Sequence, residues 1–179
     1  MLVVGAVLVH LVVHVDEDLG YSARMAGIAI AVVTAFQILG QIAGGILGDR
    51  LNKQFLSVAC MAGHVVALLV LAYATALWMV FAFAVLHGTA WGMRAPLMQA
   101  LRADYFGRTS YGTINGFSSM IVMAGMTLGP LIPGIIADQT GTYTVGFTVL
   151  AIMAGIGSVF FILARPPGPP KHPANAPSA

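Results

Sequence analysis

The sequence predicts an all-α membrane protein, a bundle of six transmembrane helices. Three observations carry that prediction. Of 179 residues, 59% are apolar and 8% are charged; a soluble domain has about 25% charged residues, so a polar shell is missing. The apolar residues fall in runs near the ~20 residues an α-helix needs to cross a bilayer. These runs do not alternate in polarity, as the strands of a membrane barrel would. The same composition excludes a disordered chain, which would be poor in apolar residues. The 21 glycines show no collagen-like period.

The first run is Met1 to Val15, ended by Asp16-Glu17-Asp18. Its 15 residues reach about 22 Å, against a hydrocarbon core of about 30 Å. The expectation is a first helix that has lost a turn or two, in a chain that is a fragment or whose start is misassigned. A short, tilted or re-entrant helix is the alternative. The second run is Met25 to Leu47, ended by Asp49-Arg50-Leu51-Asn52-Lys53. The third, Phe55 to Tyr73, is followed by an Ala-Thr-Ala break, and the fourth, Leu77 to Leu101, stops at Arg102-Ala103-Asp104. The fifth is Gly112 to Ile136, ended by Asp138-Gln139-Thr140-Gly141, and the sixth is Tyr143 to Leu163. Residues 1–164 are thus the bundle. The Pro-rich stretch 165–179 cannot continue a helix and is expected to be a disordered cytoplasmic tail.

Arg50, Lys53, Arg102, Arg108, Arg165 and Lys171 fall on one side of the six runs; the other side has only Arg24, with Asp16, Glu17, Asp18 and Asp138. The positive-inside rule then places both termini in the cytoplasm. A net charge of +2 without a basic patch gives no reason to expect nucleic acid. A single Cys60 excludes a disulfide framework and a cysteine metal cluster. The N-terminal run lacks the basic region and small-residue cleavage site of a signal peptide.

The second polar break and its flank read Gly45-Ile46-Leu47-Gly48-Asp49-Arg50-Leu51-Asn52-Lys53. This resembles the G-x-L-x-D-R-x-G-R/K signature of the major facilitator superfamily, which joins the second and third helices of a six-helix half on the cytoplasmic side. Gly45, Leu47, Asp49, Arg50 and Lys53 match, and Asn52 replaces a glycine. Asn tolerates the left-handed turn that such a glycine takes, and Gly45 is expected to allow close helix approach. The resemblance implies that this cluster latches one transporter conformation; an ordinary charged turn is the plainer reading. Gly125-Met126-Thr127-Leu128-Gly129-Pro130 resembles the fifth-helix G-x-x-x-G-P stretch, and Gly129, Pro130 and Pro133 are expected to bend that helix. Asp138-Gln139-Thr140-Gly141-Thr142-Tyr143 is similar to the D-x-T-G-x-Y turn of bacterial monocarboxylate and oxalate/formate transporter-like members. Ala103-Asp104-Tyr105-Phe106-Gly107-Arg108 with Tyr111-Gly112-Thr113 is similar to their link between the fourth and fifth helices. The resemblance covers nearly the whole chain and implies one six-helix half of a twelve-helix transporter, in a bacterial inner membrane; the signature occurs in both halves, and the Pro-rich stretch, which reads as a protein end rather than a central linker, makes the C-terminal half the expectation.

Candidate substrate or proton-pathway residues are the polar ones inside the runs. Arg94 is costly in a membrane and can hold a carboxylate through two hydrogen bonds; snorkelling toward the cytoplasm is its alternative. His10 and His14 share a helical face, and His87 lies mid-span. Histidine titrates near neutral pH, so each can relay protons or simply satisfy a polar interior. His64 is a weaker candidate. Gln37, Gln41 and Asn115, with Ser118 and Ser119 beside the last, line a cavity or bond between helices. Gly40, Gly44 and Gly48 form a packing stripe, as do Gly112 and Gly116. The methionines of the fifth span read as packing, and Tyr73 and Trp78 as interfacial aromatics.

The function expected is half of a secondary active transporter that moves a small organic anion such as a monocarboxylate, with H+ as the candidate coupling ion. Its partners are the bilayer, the solute, and a missing N-terminal half or a second copy. The alternatives are a complete six-helix carrier acting as a homodimer, a structural membrane subunit, and an intramembrane enzyme. The last lacks a zinc-protease or nucleophile-elbow motif, so no catalytic residue, metal or cofactor is expected.

Overall fold

Long apolar runs wind into helices, since in lipid a backbone must satisfy its own hydrogen bonds. The computed structural model describes residues 1–107 and 109–163. Arg108 and the expected tail at 165–179 lie outside the described residues. Within them the chain forms α1 (Leu2–Val13), a π-helical turn (His14–Asp18), α2 (Ala23–Arg50), α3 (Lys53–Ala72), α4 (Leu77–Phe106), α5 (Tyr111–Leu128), α6 (Leu131–Thr140) and α7 (Tyr143–Leu163). Among the described residues there is no strand. The chain has an all-α membrane fold.

Several boundaries differ from the sequence expectation. The acidic run does not stop α1. The helix widens there into the π turn, in which the Leu19 N–H donates to the His14 carbonyl at 3.2 Å. α2 carries Asp49 and Arg50 inside its last turn and ends where Leu51 becomes extended. Asn52 does not take a left-handed turn; its φ is −63°. It caps α3 instead, its Oδ1 accepting from the Phe55 N–H at 3.0 Å. α4 runs through Arg102-Ala103-Asp104, tolerates Pro96, and ends only at Gly107, whose φ of +69° suits glycine. The fifth run is split at Gly129-Pro130, where Pro130 and Pro133 withdraw two backbone donors.

Four rods are long and apolar enough to cross a membrane on length and composition alone: α2, α3, the Tyr111–Thr140 rod formed by α5 with α6, and α7. α1 is too short. α4 has the length at 30 residues, but His87 and Arg94 dilute its apolar run. Packing nonetheless arranges six rods, with α2 against α4, α3 between α4 and α7, and α1 against α5.

Glycine sets the closest of these contacts. A Cβ on Gly40 would lie 2.5 Å from the Thr89 carbonyl oxygen, and one on Gly44 would lie 2.6 Å from that of Met93. From the facing helix, a Cβ on Gly88 or Gly92 would strike the backbone carbonyls of Val33 and Gln37. Small residues spaced by four on both helices let the backbones touch, which substitutes for the hydrophobic drive that lipid removes. Gly45 and the Gly112/Gly116 pair do not share this role, as nothing lies within 4 Å of their added Cβ positions. Met120 and Met123 are about 70% exposed, and α5 has no buried residue.

At the end carrying the acidic residues, Asp18 joins two elements. Its Oδ2 accepts from the His14 Nδ1 at 2.7 Å and from the Tyr143 N–H, at the start of α7, at 3.0 Å. His14 Nε2 lies 3.2 Å from the Leu71 carbonyl oxygen at the end of α3. Asp18→Asn keeps the shape but loses the charge that both donors face. It is expected to lower stability by about 1–3 kcal/mol, read as a lower thermal midpoint in detergent; an unchanged midpoint would show that the clamp is idle.

Candidate functional site

A cavity of about 500 Å3 lies between α1, α3, α4, α5 and α7, within the ~300–1,000 Å3 usual for small-molecule sites. The helix period builds its polar wall. Arg94, Met98 and Arg102 stand at four-residue intervals on one face of α4, with Gln99 beside them. α5 adds Asn115 and Ser119 by the same spacing, and α3 adds Met61 and His64. Met1 and Leu2 at one end of α1 and Met153 and Gly157 of α7 close the apolar side. Two cations line the cavity, and among the described residues no Asp or Glu does.

Arg94 is the unusual member. Its guanidinium nitrogens lie 3.1 Å from the Met1 sulfur and 4.0 Å from the Met61 sulfur. Thioethers are weak acceptors, so the five N–H donors are nearly unspent. Arg102 differs, because its Nη1 donates to the Asn115 Oδ1 at 2.9 Å. Gln99 accepts from the Tyr111 hydroxyl at the rim.

The structure therefore places four of the sequence candidates, Arg94, His64, Asn115 and Ser119, on this cavity. His87 is buried just behind it, its Nδ1 3.2 Å from the Nδ1 of the lining His64. The other candidates lie elsewhere. His10 donates from Nε2 to the Pro130 carbonyl at 2.8 Å, at the helix break, and its ring packs on Tyr143. His14 belongs to the acidic-end clamp. Gln37 and Gln41 sit on α2 where it meets Gly92, and Gln41 is exposed. Arg102 reads as a loop residue in the sequence, but the length of α4 carries it into the cavity. Its eight-residue spacing from Arg94 is the available clue.

In the signature motif, Gly45 and Leu47 are half-buried on α2, and Asp49 and Arg50 are exposed. Lys53 Nζ meets the Asp104 Oδ2 at 2.6 Å, tying the α2–α3 corner to the end of α4. Both side chains are partly exposed. Lys53→Gln is expected to change unfolding free energy by no more than about 1 kcal/mol; a larger loss in a denaturation titration would mean the pair is more than a surface bridge.

The family profile described as Major Facilitator Superfamily matches residues 1–179. The chain belongs to the major facilitator superfamily. Similar curated proteins bear transporter names. Monocarboxylate transporter 13 of Rattus norvegicus is 29% identical over 155 residues, covering 83% of this chain and 36% of that protein. An MFS-type transporter of Gibberella moniliformis is 27% identical over 157 residues, with 83% and 36% covered. A triacylglyceride transporter of Mycobacteroides abscessus is 29% identical over 177 residues, with 93% and 34% covered. The superfamily chain thus spans little more than a third of the length of these relatives. The bilayer-length apolar helices and the superfamily match agree on an integral membrane protein.

Proposed function

We propose that this chain is one six-helix half of a secondary transporter that moves a small organic anion, a monocarboxylate in the first instance, by alternating access. The observation that carries the reading is Arg94, a cation inside a 500 Å3 cavity whose near neighbours are two thioether sulfurs. A half-buried charge turned away from water favours a partner, and a planar carboxylate matches the guanidinium fork. Arg102 adds a second positive charge at the same wall, and Asn115 and Ser119 offer neutral hydrogen bonds to the rest of the solute. The monocarboxylate name among the relatives supports the same class.

In this reading all six rods cross a plasma membrane, with the Arg50–Lys53 end in the cytoplasm as the basic residues favour. The Lys53–Asp104 pair holds the α2–α3 corner in the present conformation. The exposed face of α5 meets the second half that the length of the relatives supports. The test is an equilibrium titration of L-lactate into the protein in lipid nanodiscs. Arg94→Gln is expected to bind at least about tenfold more weakly, the loss of a single charge-assisted hydrogen bond. Equal affinity would remove Arg94 from the site and the reading with it.

A further inference from the structure

The histidine pair behind the cavity is unexplained by solute binding. We propose that His64 and His87 together form a single-proton site that fills when a carboxylate occupies Arg94; this rests on the anion reading above. The two Nδ1 atoms are 3.2 Å apart and the rings meet edge to face at 61°. His87 is 1% exposed and its Nε2 has no hydrogen-bond partner. His64 is 4% exposed and touches the cavity, so a proton arriving through cavity water reaches His64 first.

The geometry fixes the stoichiometry. In the neutral pair one Nδ1 carries a hydrogen and donates to the other, and the accepting ring keeps its hydrogen on Nε2. One added proton goes to the free Nε2 of the donor ring. The Nδ1 bond survives, and the charge is shared across an imidazolium–imidazole contact. A second proton would set two N–H groups against each other at 3.2 Å. The pair therefore takes one proton and refuses two.

The charges around the pair make uptake conditional. Arg94 lies seven residues beyond His87 on α4, two helical turns away on the same face. Cys60 and Met61 are the α3 neighbours, and Met1 lines the same cavity from the start of α1. The residues that α5 and α7 bring to the cavity are uncharged, Ser119 and Met153 among them. With Arg94 unpaired, the field at the pair is positive and opposes a further cation. Arg102 stands eight residues further along the same wall, so a carboxylate on Arg94 removes the nearer of the two side-chain cations from that field. Anion and proton then favour each other reciprocally, as linkage requires. His10 and His14, at the other end of the bundle, take no part.

The test is the pH dependence of L-lactate affinity for the protein in nanodiscs, from pH 5.5 to 8, where lactate stays ionised. Wild type is expected to tighten as pH falls, with a limiting slope of about tenfold per pH unit for one linked proton. His64→Asn and His87→Asn put an amide nitrogen near the Nδ1 position, keeping a hydrogen bond but removing the titrating ring. Each is expected to bind lactate at the wild-type high-pH affinity, with no slope. Either variant suffices if the other fails to fold. A flat wild-type profile, or Asn variants that keep the slope, would overturn the inference. If Arg94→Gln still weakens binding in that case, the anion reading stands alone. Lactate that fails to bind wild type across the range would overturn both.

Discussion

Gly92→Val is expected to abolish the folded bundle. A Cβ at Gly92 would clash with the Gln37 carbonyl oxygen and crowd the Gln41 amide nitrogen, and both are backbone atoms of α2. A flexible side chain can step aside; a helix backbone cannot without moving the helix. Overpacking a well-filled interior costs about 1–3 kcal/mol when side chains absorb it, occasionally more. Here the cost is expected at the upper end, because Gly40, Gly44 and Gly88 lie at the same crossing and leave no slack. The outcome to measure is monodisperse protein recovered from membranes by size exclusion, with little or none expected. Gly116→Val is the matched control, since nothing lies within 4 Å of its Cβ position. Equal recovery of both variants would show that α2 and α4 do not cross this closely.

Arg94→Glu is expected to reduce lactate affinity by more than about a thousandfold. Two unit charges at 4 Å attract by about 4 kcal/mol at an effective dielectric of 20, and reversing one sign turns that attraction into a similar repulsion. Arg94→Lys keeps the charge but loses the planar fork, so a smaller loss is expected. Arg102→Gln is expected to cost less than Arg94→Gln, because Arg102 already gives a donor to Asn115. A ranking with Arg102 first would move the carboxylate down α4 by two turns.

The class of fold is legible in the sequence because it follows from composition and run length. The order of rods follows too, since each polar break marks a turn. What the runs cannot give is which faces meet. The Gly40-Gly44-Gly48 stripe is visible as a pattern, but Gly88 and Gly92 on the facing helix complete it, and their match with α2 exists only in three dimensions. Helix ends are misread where a charge is taken as a stop: α4 continues through Arg102 to Phe106, and that extension brings Arg102 to the cavity. The site is half legible for a related reason. Arg94 announces itself by its cost in lipid, and Asn115 by its polarity within an apolar run. The partnership of His64 with His87 joins α3 to α4 across 23 residues of sequence, and no single-helix spacing reveals it. Conversely, His10 and His14 share a helical face as expected, yet His14 is held in the clamp, and His10 gives its Nε2 to the Pro130 carbonyl while its Nδ1 is buried without a partner.

In the proposed site, the cavity around Arg94 selects a negative charge. The most direct measurement compares L-lactate with L-lactamide, its neutral analogue of nearly the same shape, by equilibrium titration into the protein in nanodiscs. Lactate is expected to bind at least about tenfold more tightly, the worth of one charge-assisted hydrogen bond over a neutral one, and Arg94→Gln is expected to erase the difference. Equal binding of the two by wild type would contradict the account, because a cavity indifferent to that charge leaves Arg94 without a solute to hold.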